Sequence, residues 1–304
     1  MRGADAQLRT SVQLGDLGEV SRIGLGGNRF CGPGAFGRSS CPERCAATLR
    51  AAIDSGVSLV DTADSYGPGW SETIIGRTLW NSLARPVVAT KVGLLRDNAG
   101  NWIVDVSPGH LRRAAEASAR RLRVEAIDLL QLHTPGDGVP IEDSVGVLQD
   151  LRRAGLVRQV GVCNVSVRQL AAALSAGPIA SVQNRLNLIT IDAAEMKVVS
   201  MCAEAGIPYL AYQPLGDGAL LGAGRIRAVA AELSVTPAQL VVRVLLRLSD
   251  SIVAIPGTCD PGHARTNAAS LTARLDDRDK DIAVRCLARH RRQQKQEGNE
   301  HAAV

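Results

Sequence analysis

Short apolar runs recur along this chain, and between them lie longer stretches in which apolar residues return every third or fourth position. Runs rich in β-branched residues suit strands covered on both faces, and the longer spacing suits amphipathic helices. This pattern predicts strands over 21–25, 57–60, 87–92, 127–132, 157–162, 181–184, 207–211 and 252–255. Helices fall at 43–54, 71–80, from Pro108 onward, and at 143–154, 167–174, 193–205, 225–233 and 237–248. Ser71 and Ser107 sit where N-caps belong, Pro108 takes a first helical position, and Thr236 with Gln239 forms a capping box. Eight strands alternating with helices, without a linker, predict a single-domain (β/α)8 TIM barrel over 1–288, with a basic, frayed end over 289–304. A doubly wound sheet is the alternative.

One motif speaks for that alternative. Gly32, Gly34 and Gly37 in GPGAFG fit G-x-G-x-x-G, which cradles a pyrophosphate when it links a strand directly to a helix. Here no strand directly precedes the glycines, Pro33 stiffens the turn, and a polar stretch through Cys41 separates Gly37 from the next helix. The motif therefore reads as a flexible loop over a barrel mouth.

Composition narrows the setting. Hydrophobic residues make up 45% and aromatic ones only 3%, so the core is aliphatic and each ring carries information. Seven cysteines without a C-x-x-C pair indicate neither a disulfide framework nor a structural zinc site, which fits a reducing cytoplasm. Residues 1–15 hold no signal-like apolar core, and the most apolar later run is broken by Arg243 and Arg247, so no membrane is expected. The net charge of +5 comes without a nucleic-acid-binding motif, so no nucleic-acid partner is expected either.

Chemistry gathers at the predicted strand ends, where barrels place their sites. Asp61 and Tyr66 follow the second strand in DTADSYG; a helix cap and an ordinary loop tyrosine are the plainer readings. Lys91 ends the third strand, and it is one of only four lysines in a chain that takes most of its positive charge from arginine. A compact ammonium is wanted there, or else a structural ion pair with Asp61. His133 ends the fourth strand, where a satisfied core histidine is the plainer reading.

Together Asp61, Tyr66, Lys91 and His133 resemble the catalytic tetrad of the aldo-keto reductases. TKVG (90–93), LLQLHTP (129–135), GVCN (161–164), VQNRLN (182–187), AYQPLG (211–216) and IPGT (255–258) extend the resemblance over nearly the whole chain. It implies a monomeric barrel that reduces a small-molecule carbonyl with a nicotinamide cofactor. Tyr66 would be the general acid, its pKa lowered by Lys91; Asp61 would hold Lys91, and His133 would align the carbonyl and donate to the alkoxide.

The resemblance also implies cofactor contacts. Asn164 and Gln183 would hold the carboxamide, Tyr212 would stack on the nicotinamide, and Gln213, Leu215, Gly216, Pro256, Gly257, Thr258, His263 and Asn267 would follow the rest of the dinucleotide. Cys163 replaces a usual serine, Gly257 a usual basic residue and His263 a frequent arginine. The resemblance implies NADPH as the expected cofactor, and these departures leave NADH open.

Six of the eight aromatic rings fall in segments that follow strands. Trp70, Trp102, Phe36 and Phe30 are expected to form a wall opposite Tyr66 suited to a planar aromatic aldehyde. The GPGAFG loop and YGP resemble the pyridoxal-reductase-like branch, with Arg96 the candidate clamp for a phosphorylated substrate. Two alternatives stay open: a keto-sugar reductase, and a cofactor-sensing regulatory subunit that has no need of the acid.

Overall fold

The computed structural model describes residues 8–273. The chain enters through an antiparallel hairpin, β1 (Ser11–Gln13) and β2 (Glu19–Ser21). It then alternates β3 (Leu25–Gly26), α1 (Pro42–Asp54), β4 (Leu59–Asp61), α2 (Trp70–Leu79) and β5 (Val87–Val92). A second hairpin follows, β6 (Leu94–Arg96) and β7 (Trp102–Val104). The alternation resumes with α3 (Pro108–Leu122), β8 (Ile127–Leu132), α4 (Ile141–Arg153), β9 (Val157–Cys163), α5 (Val167–Ala176), β10 (Ser181–Arg185), α6 (Ala193–Glu204) and β11 (Tyr209–Tyr212). It ends with α7 (Ala219–Gly222), α8 (Gly224–Glu232), α9 (Pro237–Leu246), β12 (Ile252–Ala254) and α10 (Pro261–Ala268).

β3, β4, β5, β8, β9, β10, β11 and β12 pair in parallel, each with its neighbour in chain order. Parallel bridges from Ile23 to Ala254 and from Gly26 to Gly257 join the last strand to the first. That closure makes the sheet a (β/α)8 barrel and removes the doubly wound alternative.

Strand alternation explains what fills the barrel. Leu59, Ala89, Leu129, Leu210 and Val253 form an interior apolar cluster, which Leu14 and Val20 of the entry hairpin join. Their neighbours Val60, Val88, Leu130 and Ile252 face outward into the helix-packed core. Two residues beyond Leu59, Ala89 and Leu129 stand Asp61, Lys91 and Gln131, so the two-residue period lifts polar side chains directly above the apolar layer. Arg22 is fully buried beside the entry, where its Nε donates to the Ile252 carbonyl at 2.8 Å and its Nη2 to the Leu246 carbonyl at 2.7 Å.

Several local expectations change. The run at 21–25 divides between β2 and β3, with Ile23 forming the closing bridge. Ser71 is no cap: it lies inside α2 behind a left-handed Gly69, and its hydroxyl donates to the Gly27 carbonyl at 2.8 Å. Ser107 does hold the N-cap position, without a side-chain cap bond, and the Thr236–Gln239 box is present. The β6–β7 hairpin, α7 and α10 were not expected from the pattern, because each is too short to show a period. The end over 289–304 lies outside the described residues. Among the described residues, no single helix is long and apolar enough to cross a membrane.

Candidate active site

A cleft of about 930 Å³ opens at the C-terminal ends of the barrel strands, and Asp61, Tyr66 and His133 line it at one end. Lys91 lies beneath, almost fully buried. Its Nζ donates to Asp61 Oδ2 at 2.6 Å and to the Thr62 carbonyl at 2.8 Å, and sits 5.2 Å from the centre of the Tyr66 ring. Burial alone would lower Lys91, but the Asp61 carboxylate and the Tyr66 phenol outweigh it and hold the ammonium charged well above its usual range. Burial pushes the Tyr66 phenol up to about 12 against the pull of Lys91. Lys91 therefore tempers the rise and does not bring the phenol below its ordinary value, contrary to the expectation from the sequence. Burial first, and the Lys91 charge second, push His133 well below its usual range and keep the imidazole neutral.

The loop between β4 and α2 aims Tyr66. Gly67 follows with φ of +72°, where a Cβ would meet the Gly37 carbonyl oxygen at 2.7 Å, so the turn admits only glycine without a shift. Ser65 Oγ approaches His133 Nδ1 at 3.4 Å, and Tyr66 and Trp102 both meet the imidazole edge-on, with centroids 6.0 and 6.2 Å away. Behind this loop Glu72 is fully buried, accepting from Thr90 Oγ1 at 2.5 Å and from Arg121 Nε at 2.6 Å. Asp64 lies alongside with Oδ1 buried and without a hydrogen bond; burial and the Glu72 charge raise it to about 8.

Most of the cofactor residues named from the sequence share this cleft: Asn164, Gln183, Tyr212, Gln213, Leu215, Pro256, Gly257, Thr258, His263 and Asn267 all line it. Gly216 does not; it turns beside Ile189 with φ of +59°. Asn164, at φ of +56°, donates from Nδ2 to the His133 carbonyl at 2.9 Å and accepts from the Tyr212 hydroxyl at 2.8 Å. Gln183 donates to Asp61 Oδ1 at 2.8 Å, joining the Lys91–Asp61 ion pair. Cys163 Sγ contacts Gln131 Oε1 at 3.3 Å at the same level. Gly257 leaves the opposite wall as backbone: a Cβ there would fall 2.1 Å from Asn28 Oδ1.

The aromatic wall is smaller than expected. Trp102 alone of its proposed members lines the cleft. Phe30 is fully buried in the core, and Trp70 packs on the core with the Arg38 guanidinium 4.8 Å above its ring. Phe36 faces Arg96, whose guanidinium lies 5.2 Å from its ring centre and 3.8 Å from that of Trp102. Arg96 also donates to the Gly34 carbonyl at 3.1 Å, so it ties the β6–β7 hairpin to the glycine loop and does not line the cleft. Asn28, Arg29, Arg185 and Asp217 do line it and were missed, since nothing local in the sequence marks a polar loop residue as facing a mouth formed by distant loops.

A family model described as the aldo/keto reductase family matches residues 22–287. The chain belongs to the aldo/keto reductase family, and it is an oxidoreductase of that family. An uncharacterized oxidoreductase of Schizosaccharomyces pombe is 34% identical over 272 residues, which are 89% of this chain and 88% of that one. A pyridoxine 4-dehydrogenase of Escherichia coli is 33% identical over 265 residues, 85% of this chain and 92% of the relative. Among solved structures, a glycerol dehydrogenase from Gluconobacter oxydans superposes with a TM-score of 0.80 at 28% identity, covering 92% and 96% of the two chains. An aldo-keto reductase from Klebsiella pneumoniae in complex with NADPH gives 0.77 at 27% identity, covering 91% and 94%.

Proposed function

We propose that this aldo/keto reductase is a monomer that reduces a planar aromatic aldehyde of the pyridoxal class with NADPH. The observation that carries the reading is the buried Lys91–Asp61 pair beneath Tyr66, beside a neutral His133, at one end of a cleft of about 930 Å³.

The cleft suits the cofactor on its own terms. Its far wall is backbone at Gly257, Asn164 and Gln183 carry amide groups at the catalytic end, and Arg29, Thr258 and His263 supply polar and cationic groups at the other. When bound, the cofactor supplies the hydride. Tyr66 keeps its proton throughout the neutral range because burial raises its phenol, and it delivers that proton to the carbonyl oxygen. His133, neutral, offers a ring N–H to the same oxygen, and Lys91, held by Asp61, stabilises the phenolate that remains.

The substrate class rests on the Trp102 face and on the E. coli relative named pyridoxine 4-dehydrogenase. A keto-sugar or polyol reading is favoured by the single indole in a cleft that also carries Arg29, Arg185 and Asp217, and by the Gluconobacter relative named glycerol dehydrogenase. Tyr66 with its complete set of partners counts against a purely regulatory subunit. Initial rates on aromatic aldehydes, keto-sugars and simple ketones with NADPH and with NADH test the reading. A higher kcat/KM for keto-sugars overturns the aromatic substrate, and tight NADPH binding without any turnover overturns the enzyme.

A further inference from the structure

The fold brings together two thiols that lie 214 residues apart. Cys45, fully buried on α1, has its Sγ 3.1 Å from that of Cys259, which is half-buried in the turn between β12 and α10. Cys259 directly follows Thr258, which lines the cleft. Asp260, next along, accepts from the His263 backbone N–H at 3.0 Å as the N-cap of α10, the helix that carries His263 and Asn267. Arg44, the neighbour of Cys45, is ion-paired with Asp260. The thiol pair is thus built into the contact between α1 and the turn that forms one end of the cleft.

We infer that Cys45 and Cys259 are an oxidisable dithiol, a modification site whose disulfide fastens the Thr258–Asp260 turn to α1 and weakens NADPH binding. The chemistry requires a two-electron oxidant of the peroxide class. The Cys259 thiolate attacks one peroxide oxygen, the O–O bond breaks, and a sulfenic acid forms at Cys259 with release of water. Cys45 then attacks that sulfur, forming the Sγ–Sγ bond and releasing a second water, so two thiols and one hydrogen peroxide give one disulfide and two waters. Closing the gap to a bond of about 2.05 Å draws the turn outward, toward a helix that contributes nothing to the cleft. Thr258 moves with it.

The surroundings set the rate. Cys45 and Arg44 on α1, with Cys41 at its N-cap, face Cys259, and only Arg44 favours its thiolate; burial prevails and raises the thiol to about 12. The reaction is therefore slow near neutral pH, and its rate climbs with the thiolate fraction, about tenfold per pH unit in the alkaline range.

The effect on binding rests on the proposed cofactor, but the bond itself does not, and the experiment separates them. The full chain is treated with hydrogen peroxide at pH 7 and pH 9, alkylated, digested without reductant and examined by mass spectrometry, and NADPH affinity is titrated in parallel. The expected result is a Cys45–Cys259 linked peptide that forms faster at pH 9, is lost on reduction, and accompanies a several-fold rise in the NADPH Kd. Cys45→Ser abolishes both the linked peptide and the shift in Kd. Absence of the linked peptide, with modification confined to the exposed Cys41, overturns the dithiol. A linked peptide with an unchanged Kd overturns the coupling to the cleft. Failure of the reduced protein to bind NADPH speaks against the cofactor reading and leaves the linked peptide to decide the dithiol.

Discussion

Gln183 donates from Nε2 to Oδ1 of Asp61 at 2.8 Å, while Lys91 takes the other carboxylate oxygen, Oδ2, at 2.6 Å. Both oxygens of a buried carboxylate are thereby satisfied, one by an ion and one by an amide. The resemblance gave Gln183 to the cofactor; the geometry also ties it to the Lys91–Asp61 pair. Gln183→Ala leaves Oδ1 without its donor, which costs about 1–3 kcal/mol in a buried charged group. The variant should therefore lose stability in urea even without cofactor, besides binding NADPH more weakly. A variant that unfolds at the wild-type midpoint would confine Gln183 to the cofactor.

Tyr66→Phe keeps the ring and removes the transferable proton. Cofactor affinity should stay within about twofold while kcat falls by about 10²–10⁴, the usual worth of general acid catalysis. Because the phenol stands at about 12, reduction should show no decline from Tyr66 between pH 6 and 9. In the reverse direction, where phenolate is the working base, the rate should rise with pH over the same range. Cofactor fluorescence titration with pH–rate profiles in both directions checks this.

Asp64 gives a prediction of opposite chemical sense. Its carboxyl rises from an ordinary 3.8 to about 8 through burial and the Glu72 charge, against the pull of Arg121. Between those values the folded chain holds a proton that the unfolded chain releases, so this group's contribution is complete below pH 4 and is lost as pH climbs toward 8. Asp64→Asn, which mimics the protonated acid, should exceed wild type by about 1 kcal/mol near pH 5 and by clearly more near pH 9, because the wild-type carboxyl goes on losing stability up to pH 8. Urea midpoints at the two pH values decide it; an equal difference at both would mean that Asp64 is ionised throughout.

The strand positions, and the placing of Asp61, Lys91 and His133 at strand ends, could be read from the sequence because both follow from local pattern. A run such as VVATKV announces a buried strand, and alternation then places Lys91 on the same side as Ala89. The aromatic wall could not be read in this way. Phe30, Phe36 and Trp70 follow strands as Trp102 does, yet whether a ring faces the cleft or the core depends on how separate loops fold over one another. Arg96 shows the point: it lies over both Phe36 and Trp102, a contact across two loops that neither segment signals alone. The same holds for Cys45 and Cys259, whose spacing in the chain carries no trace of their meeting.

Arg96 stacks on Trp102 and lies outside the cleft lining, which separates two variants. Trp102→Ala removes the one indole on the cleft and should raise KM for an aromatic aldehyde several-fold with a smaller change in kcat, since a stacked ring is worth roughly 1 kcal/mol. Arg96→Met keeps the length but loses the guanidinium over both rings and the bond to Gly34. It should raise the same KM by about half as much in free-energy terms and leave phosphorylated and free aldehydes equally affected. A selective loss of the phosphorylated substrate would return Arg96 to its role as an anion clamp.

The last prediction concerns the far end of the cleft. Arg29 and His263 both line it there, and they are differently committed. Arg29 faces Asp217 at 3.5 Å, so part of its charge is already answered across the mouth. His263 stands exposed in the first turn of α10, three residues after Asp260, whose carboxylate is spent on the cap and on Arg44. A basic or hydrogen-bonding side chain meeting the 2′-phosphate at an exposed site is worth about 1 kcal/mol, which is roughly fivefold in affinity. His263→Ala should therefore raise the Kd for NADPH about fivefold and leave that for NADH unchanged, whereas Arg29→Ala should raise it less, because removing Arg29 also releases Asp217. Titration of both cofactors against both variants separates the two residues: equal losses for NADPH and NADH would take His263 away from the phosphate, and a larger NADPH loss in the Arg29 variant would assign that phosphate to the arginine.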